Sequence, residues 1–295
     1  MLSRALEPSR PAVMPPVVLC DRQGYTQRLY PDRRVIPFDL DILGRRLPLA
    51  ISYAQGPVIL ADLVPMARTL SDVLTGQLRV TLEGFDRSAS CRVGCAHCCY
   101  YLVPVSPAEA FHLERKIRTL PPPQQRAIVG VFRMAGRRLL KRLPEYQLQH
   151  ADTDRSAERL QRLSDWYASL HLACPFLVNN LCVIYNLRPL ACREYWVTSA
   201  PDCCRIDGKT PPTLAPLPVR IAEVLTDVCA ELEGESEPVL LPVALPFAES
   251  QPERCRRTWP AHVAVERFLD VLLHHAHRNS MADREGFCAT DAATP

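Results

Sequence analysis

The chain has 295 residues, 47% of them hydrophobic, with 35 Lys and Arg against 32 Asp and Glu for a formal net charge of +3. That length and apolar content suffice for a sizeable core, which excludes disorder of the whole chain, and a balance so near neutral does not by itself predict binding to nucleic acid or acidic lipid. Glycine numbers 11 against 28 prolines; no GxGxxG or GxxxxGKS/T occurs, which argues against the Gly-rich nucleotide-binding folds, and many loops between short elements are expected.

Residues 1–55 are rich in proline and arginine, and read as an irregular N-terminal segment with a few short strands around Val17-Val18-Leu19 and Val35-Ile36-Pro37-Phe38. Over 58–82 the apolar residues Leu60, Leu63, Val64, Ala67, Leu70, Leu74 and Leu78 follow helical spacing, with Pro65 expected to kink or split the helix. Ser106-Pro107-Ala108-Glu109 is a helix start: serine caps, proline takes the first position and glutamate closes a capping box. This helix should run to about 119. Pro121-Pro122-Pro123 ends it and opens another to about 143, whose Arg133, Arg137, Arg138, Lys141 and Arg142 form a solvated polar face without interleaved aromatics.

A further helix over 156–172 has Leu160, Leu163, Trp166, Tyr167 and Leu170 on its apolar side, and more helices are expected at 187–197, 217–233 and 260–278. The proline-rich stretches 200–215 and 233–258 read as loops. The fold class is therefore mostly α: a helical domain with irregular cysteine-rich metal-binding loops and few short strands. Three regions follow: the segment 1–55, a cysteine-cluster metal-binding domain over 56–205, and a C-terminal helical extension over 206–295 packed on the same core.

Compartment decides how cysteines are read. The apolar stretch 12–19 is short and broken by Pro15 and Pro16, so no signal peptide is expected, and no run approaches the roughly 18 apolar residues of a membrane helix. A cytoplasmic protein that neither crosses a membrane nor binds nucleic acid is expected. In a reducing cytosol, clustered cysteines point to metal ligands or redox groups rather than structural disulfides.

Thirteen cysteines are present, and eight of them mark the candidate site. Cys91-Arg-Val-Gly-Cys95-Ala-His-Cys98-Cys99 holds four thiols in nine residues, and Gly94 supplies freedom for the turn. A second group, Cys174, Cys182, Cys192 and Cys203-Cys204, begins 75 residues after Cys99. Four thiols in one loop serve no packing purpose, whereas thiolates ligate zinc and iron–sulfur clusters. The two-part pattern Cx3CxxCC, then CPFL and C-x-I-Y-x-x-R-P-x-x-C-R, resembles the YkgJ-type cysteine cluster family, described as a zinc- or iron-chelating domain. The matching residues are Cys91 to Cys99, Cys174-Pro175-Phe176-Leu177, Cys182-Val183-Ile184-Tyr185 and Arg188-Pro189-Leu190-Ala191-Cys192-Arg193.

The resemblance covers about 88–205. It implies about eight ligands: Cys91, Cys95, Cys98, Cys99, Cys174, Cys182, Cys192 and one of Cys203 or Cys204, with Cys203 taken first.

Zinc and an iron–sulfur cluster both remain open as the cofactor. The single CxxC departs from the two-knuckle zinc pattern, while Cys91, Cys95 and Cys98 have the CxxxCxxC spacing of radical S-adenosylmethionine enzymes without the strand–helix alternation of their barrel. Adjacent Cys98 and Cys99 would strain one tetrahedral ion and are read as addressing different metals. Arg92, Arg188, Arg193 and Arg205 lie close in sequence to the thiols and could offset their charge. His97 reads as a polar loop residue, Tyr185, Tyr195 and Trp196 as an apolar shell, Cys229 as core, and His274, His275 and His277 as partners of a helix C-terminal dipole.

The function expected is a cysteine-ligated metal-binding protein whose centre joins 91–99 to 174–204. The alternatives are an iron–sulfur redox or protein-modifying enzyme, as the lysine-methylase label of some relatives suggests, and a zinc-stapled adaptor for a protein partner.

Overall fold

The computed structural model describes residues 14–21, 32–42, 44–84, 87–149, 157–234 and 238–290. The Leu160 and Cys288 side chains from the sequence reading lie outside that description.

In the N-terminal segment Phe38, Leu40 and Ile42 are buried while Asp39 and Asp41 alternate with them toward solvent, the period of a half-buried strand. Strands β1 (Val17–Asp21), β2 (Arg33–Ile42) and β3 (Arg45–Ala54) form an antiparallel sheet in the order β1-β3-β2. The described residues of the 1–55 segment therefore form a regular sheet, with strands at the two places expected, around 17–19 and 35–38, that run longer than expected. Its prolines fall where a strand tolerates them: Pro37 on the edge strand β2, and Pro48 just beyond Leu49, the last residue of β3 that β1 reaches. The buried Arg33 guanidinium ties the sheet's start down, donating to the Pro15, Pro16 and Ser52 carbonyls at 2.8–3.1 Å.

Strand β4 (Pro57–Ile59) and a 3₁₀ turn over Leu60–Asp62 precede α1 (Val64–Gly84). The sequence reading begins the helix at 58 and has Pro65 interrupt it. Instead, Pro65 lies in the first turn, where its missing N–H is no loss. Val64, Met66, Ala67, Leu70, Leu74, Leu78 and Leu82 form the buried stripe.

After β5 (Pro104–Val105) comes α2 (Pro107–Arg118), with Ser106 as cap and Glu109 closing the capping box as expected. Next come α3 (Pro122–Gln149), α4 (Ala157–Ser169), and a two-residue hairpin of β6 (Leu177–Val178) and β7 (Leu181–Cys182). Asn179 and Asn180 turn this hairpin at φ 51° and 59°, the left-handed pair that a tight hairpin requires and asparagine tolerates.

The remaining elements are α5 (Leu190–Glu194), α6 (Ile221–Glu233), β8 (Val239–Leu240), α7 (Ala244–Ser250), α8 (Pro252–Arg256), β9 (Thr258–Pro260) and α9 (Ala261–Thr290). Two of them, α7 and α8, lie inside the stretch read as a loop. Pro246 and Pro252 sit within first turns, so these prolines start helices rather than break them. Helix α9 runs past the expected 278, which places the three histidines inside it rather than at its C-terminal dipole; His275 Nε2 pairs with the Asp227 carboxylate at 2.8 Å.

The chain is mostly α, about 56% helical with nine helices among the described residues. A main core cluster draws Ile51 of the sheet, Leu70 of α1, Phe111 of α2, Phe132 of α3, Leu225 of α6, Leu245 of α7 and Phe268 of α9 together. Strand β4 pairs antiparallel with β9, and β5 with β8, so early and late parts of the chain close on each other.

Phe132 is fully buried and packs edge-to-face on Phe176 with ring centroids 5.1 Å apart, joining α3 to the Cys174-Pro-Phe176 segment. Phe132→Ala is expected to cost about 3–5 kcal/mol. Denaturant unfolding would read the loss, and a cost near zero would mean that α3 is not anchored there.

His112 on α2 is buried, and its Nδ1–H donates to the Ala61 carbonyl at 3.1 Å. Burial, with Arg68 and Arg115 nearby, pushes its pKa down to about 3 from an ordinary 6.5. The folded state therefore refuses a proton that the unfolded chain accepts. This contribution to stability is whole above pH 6.5 and is lost as pH falls toward 3, up to about 4–5 kcal/mol. His112→Gln is expected to flatten the acid side of the stability profile over that window, read by denaturant titration at successive pH values. A difference between the two proteins that does not vary with pH would contradict it.

Candidate metal centre

The first cysteine segment is hooked down before it begins. Ser90 donates from both its N–H (2.8 Å) and its Oγ (3.1 Å) to the Val197 carbonyl. Gly94, at φ 85°, turns the chain, and the Cys95 N–H bonds back to the Arg92 carbonyl at 3.0 Å; a side chain at 94 would strain that turn. His97–Tyr100 then forms a 3₁₀ turn that carries Cys98 and Cys99.

The second segment meets it directly, since the Cys174 N–H donates to the Cys99 carbonyl at 2.7 Å. The hairpin of β6 and β7 carries Cys182, opposite Leu177. Cys192 lies on α5, with its N–H bonded to the Pro189 carbonyl at 3.0 Å. A second 3₁₀ turn, Pro201–Cys204, carries the last pair and packs on the first. There the Tyr101 hydroxyl donates to the Cys204 carbonyl at 2.8 Å, and the Tyr101 and Tyr195 rings meet edge-to-face at 5.8 Å.

The thiols of the two segments act on one another electrostatically, Cys98 most often. A negative charge on Cys98 raises the pKa values of Cys91, Cys99, Cys174, Cys182, Cys192 and Cys204. A side-chain hydrogen bond from Cys99 brings Cys98 down to about 7, helped by the Arg188 charge and opposed by burial; the same bond pushes Cys99 far up. Burial is the main cause for the others: it lifts Cys174 to about 12 and Cys204 to about 11, and raises Cys91, Cys182 and Cys192. Cys95 enters through its effect on Cys91 and Cys204. Of the adjacent pair, Cys204 is buried and Cys203 half-buried.

The donor set suits a thiophilic metal in its chemistry: half-buried sulfurs, with no disulfide recorded among the described residues. Its geometry is looser. No three His, Cys, Asp or Glu side chains among the described residues stand in a metal-holding arrangement. The thiols share a neighbourhood without converging on one point.

Of the four arginines expected to offset thiolate charge, Arg188 is within reach, lowering the pKa values of Cys91, Cys98, Cys182 and Cys192 while its guanidinium stacks 3.9 Å above the Tyr185 ring. Arg193 is engaged elsewhere, on Asp72 at 2.5 Å and on the Asn186 and Arg188 carbonyls. Arg205 forks onto both Asp207 oxygens at 2.9 Å, and Arg92 is exposed. Of the aromatic shell, Tyr185 is open to solvent, while Trp196 donates from Nε1 to the Arg193 carbonyl at 2.7 Å.

Two buried carboxylates missing from the candidate list position the site. The Glu109 carboxylate closes the α2 capping box by accepting the Ser106 N–H and also accepts the Leu190 N–H at 2.8 Å, fixing the start of the helix that carries Cys192. Glu194 ends that helix and accepts the Ile221 and Ala222 N–H groups at the start of α6, at 2.9 and 3.2 Å. Burial raises the pKa of Glu109, which the Arg68 charge opposes, and lifts Glu194 to about 7 against the pull of its N–H donors. Arg68 is half-buried, held down to about 10 by desolvation, and donates to the Leu187 carbonyl at 3.2 Å. Glu109 was legible as a capping residue. Its second bond spans 81 positions and leaves no local pattern.

No protein-family model, curated protein or solved structure matches the chain.

Proposed function

We propose that the chain is a cysteine-ligated metal-binding protein of the YkgJ-like cysteine cluster type, in which a zinc or iron–sulfur centre joins 91–99 to 174–204. One observation carries the reading: the Cys174–Cys99 backbone bond brings two distant cysteine segments together, near enough that the charge of Cys98 acts on Cys174, Cys182 and Cys192. Cys91, Cys95, Cys98, Cys99, Cys174, Cys182 and Cys192 would hold the centre, with Cys204 favoured over Cys203 by its burial beside Cys91 and Cys98.

Such a metal would supply the positive charge that these thiols otherwise lack, and ligation would deprotonate them. The protein's own contribution is to gather the sulfurs, to fix the Cys192 helix through Glu109 and Glu194, and to place the Arg188 cation beside them.

The deciding experiment is anaerobic purification followed by a visible spectrum and by measurement of iron, zinc and acid-labile sulfide per chain. Matched iron and sulfide with broad visible absorption would establish a cluster. A colourless protein holding about one or two zinc per chain would establish the zinc form. A protein that binds neither, and takes up neither when reduced and reloaded, would overturn the proposal.

A further inference from the structure

We propose that the outward face of α3 docks an acidic, amphipathic segment of a protein partner. The inner side of this helix is fixed to the core by Ile128, Phe132 and Leu139, so its outer side is held in place. That outer side presents Arg126, Arg133, Arg137, Arg138 and Lys141, all exposed. Arg133, Arg137 and Lys141 form one row at i, i+4 and i+8, about 6 Å apart. Among the described residues none of the five enters an ion pair with Asp or Glu. Like charges at that spacing repel, and carboxylates from outside would relieve the repulsion.

Arg133, Arg137, Arg138 and Lys141 line an open groove of about 520 Å³ with Gly130 and Met134. Met134 and Leu140 are each more than half exposed. Three features favour a peptide. Guanidinium forks match carboxylates two hydrogen bonds at a time. The exposed Met134 offers a soft apolar contact. Nothing aromatic lines the groove for base stacking, and one exposed methionine between charges is too little apolar area for a membrane-lying helix.

The occupant is thus a segment with Glu or Asp at helical spacing and an apolar residue facing Met134. The surface is independent of the metal reading and is tested separately from it.

The probe is a fluorescent peptide four helical turns long, with glutamate at every fourth position and leucine between, titrated by anisotropy against the full chain. The charge-reversed double variant Arg133→Glu with Arg137→Glu is compared with the reversal Arg34→Glu with Arg45→Glu on the sheet, and circular dichroism checks that both fold. Binding that weakens at least about tenfold in the α3 variant and not in the sheet variant, and that weakens when serine replaces leucine in the probe, is the expected result. No binding, or equal loss in both variants, would overturn the proposal. So would tighter, α3-dependent binding of a single-stranded RNA or of phosphatidylserine vesicles, which would reassign the face to that ligand. If the α3 variant misfolds, Arg133→Gln with Arg137→Gln replaces it, with a smaller loss in the same direction expected.

Discussion

Cys98→Ser is expected to strip the protein of most of its metal, to below about a tenth of the wild-type content, and to lower its melting temperature by about 10 °C. Serine keeps the shape of the side chain and removes the thiol whose charge acts on Cys99, Cys174 and Cys192. The size of the shift follows from topology. A centre joining the two cysteine segments closes a loop of 75 residues between Cys99 and Cys174, and a cross-link of that span is worth about 4–5 kcal/mol in the chain-entropy picture. For a chain of this size that corresponds to roughly 10 °C. The control is Cys255→Ser, whose Sγ lies against the Ala248 carbonyl, away from the other thiols; its metal content should be unchanged. Metal analysis and thermal melting of the two variants side by side make the check, and full retention of metal by Cys98→Ser would sink the assignment of Cys98 to the centre.

Glu109→Ala is expected to cost about 3–5 kcal/mol, comparable to the largest core truncations. The carboxylate is buried and accepts from the Ser106 N–H and Oγ and from the Leu190 N–H. Truncation leaves those donors dry and removes the carboxylate whose charge acts most favourably on Arg68. Glu109→Gln keeps an acceptor at the same place and should lose less than half as much. Denaturant unfolding gives both numbers. Faster alkylation of Cys192 in Glu109→Ala would report the release of its helix. A cost below about 1 kcal/mol, with alkylation unchanged, would show that the Glu109 bond does not hold α5.

These clamps mark the boundary of what the sequence makes readable. Ser106-Pro107-Ala108-Glu109 announces α2 because a cap is local chemistry, complete within four residues. The stripe from Val64 to Leu82 announces α1 for the same kind of reason: one periodicity and one buried face. Phe38, Leu40 and Ile42 carried a period of two that the surrounding prolines and arginines obscured, so the strand read around 35–38 was taken as short and β3 went unread. The α7 and α8 prolines misled in the opposite direction, since a proline in a first turn and a proline in a loop look alike in sequence.

The cysteines of the candidate site were legible from spacing. The elements that orient them were not, because Glu109 to Leu190, Glu194 to Ile221 and Tyr101 to Cys204 each join residues far apart in sequence. Arg193 and Arg205 lie beside cysteines in sequence yet bond Asp72 and Asp207, so adjacency along the chain overstated their part in the site.

The pairing of β4 with β9 has a consequence for biosynthesis. Pro57–Ile59 waits for Thr258–Pro260, roughly 200 residues of further translation, or about 10–40 s at ordinary ribosomal speeds. Through the later part of that interval α1 and the Cys91–Cys99 loop have been made, while Cys192 and Cys204 follow about a hundred residues behind the loop. The nascent chain therefore holds the four thiols of 91–99 before the second cysteine segment, which packs on them through the Cys174–Cys99 bond, has been made.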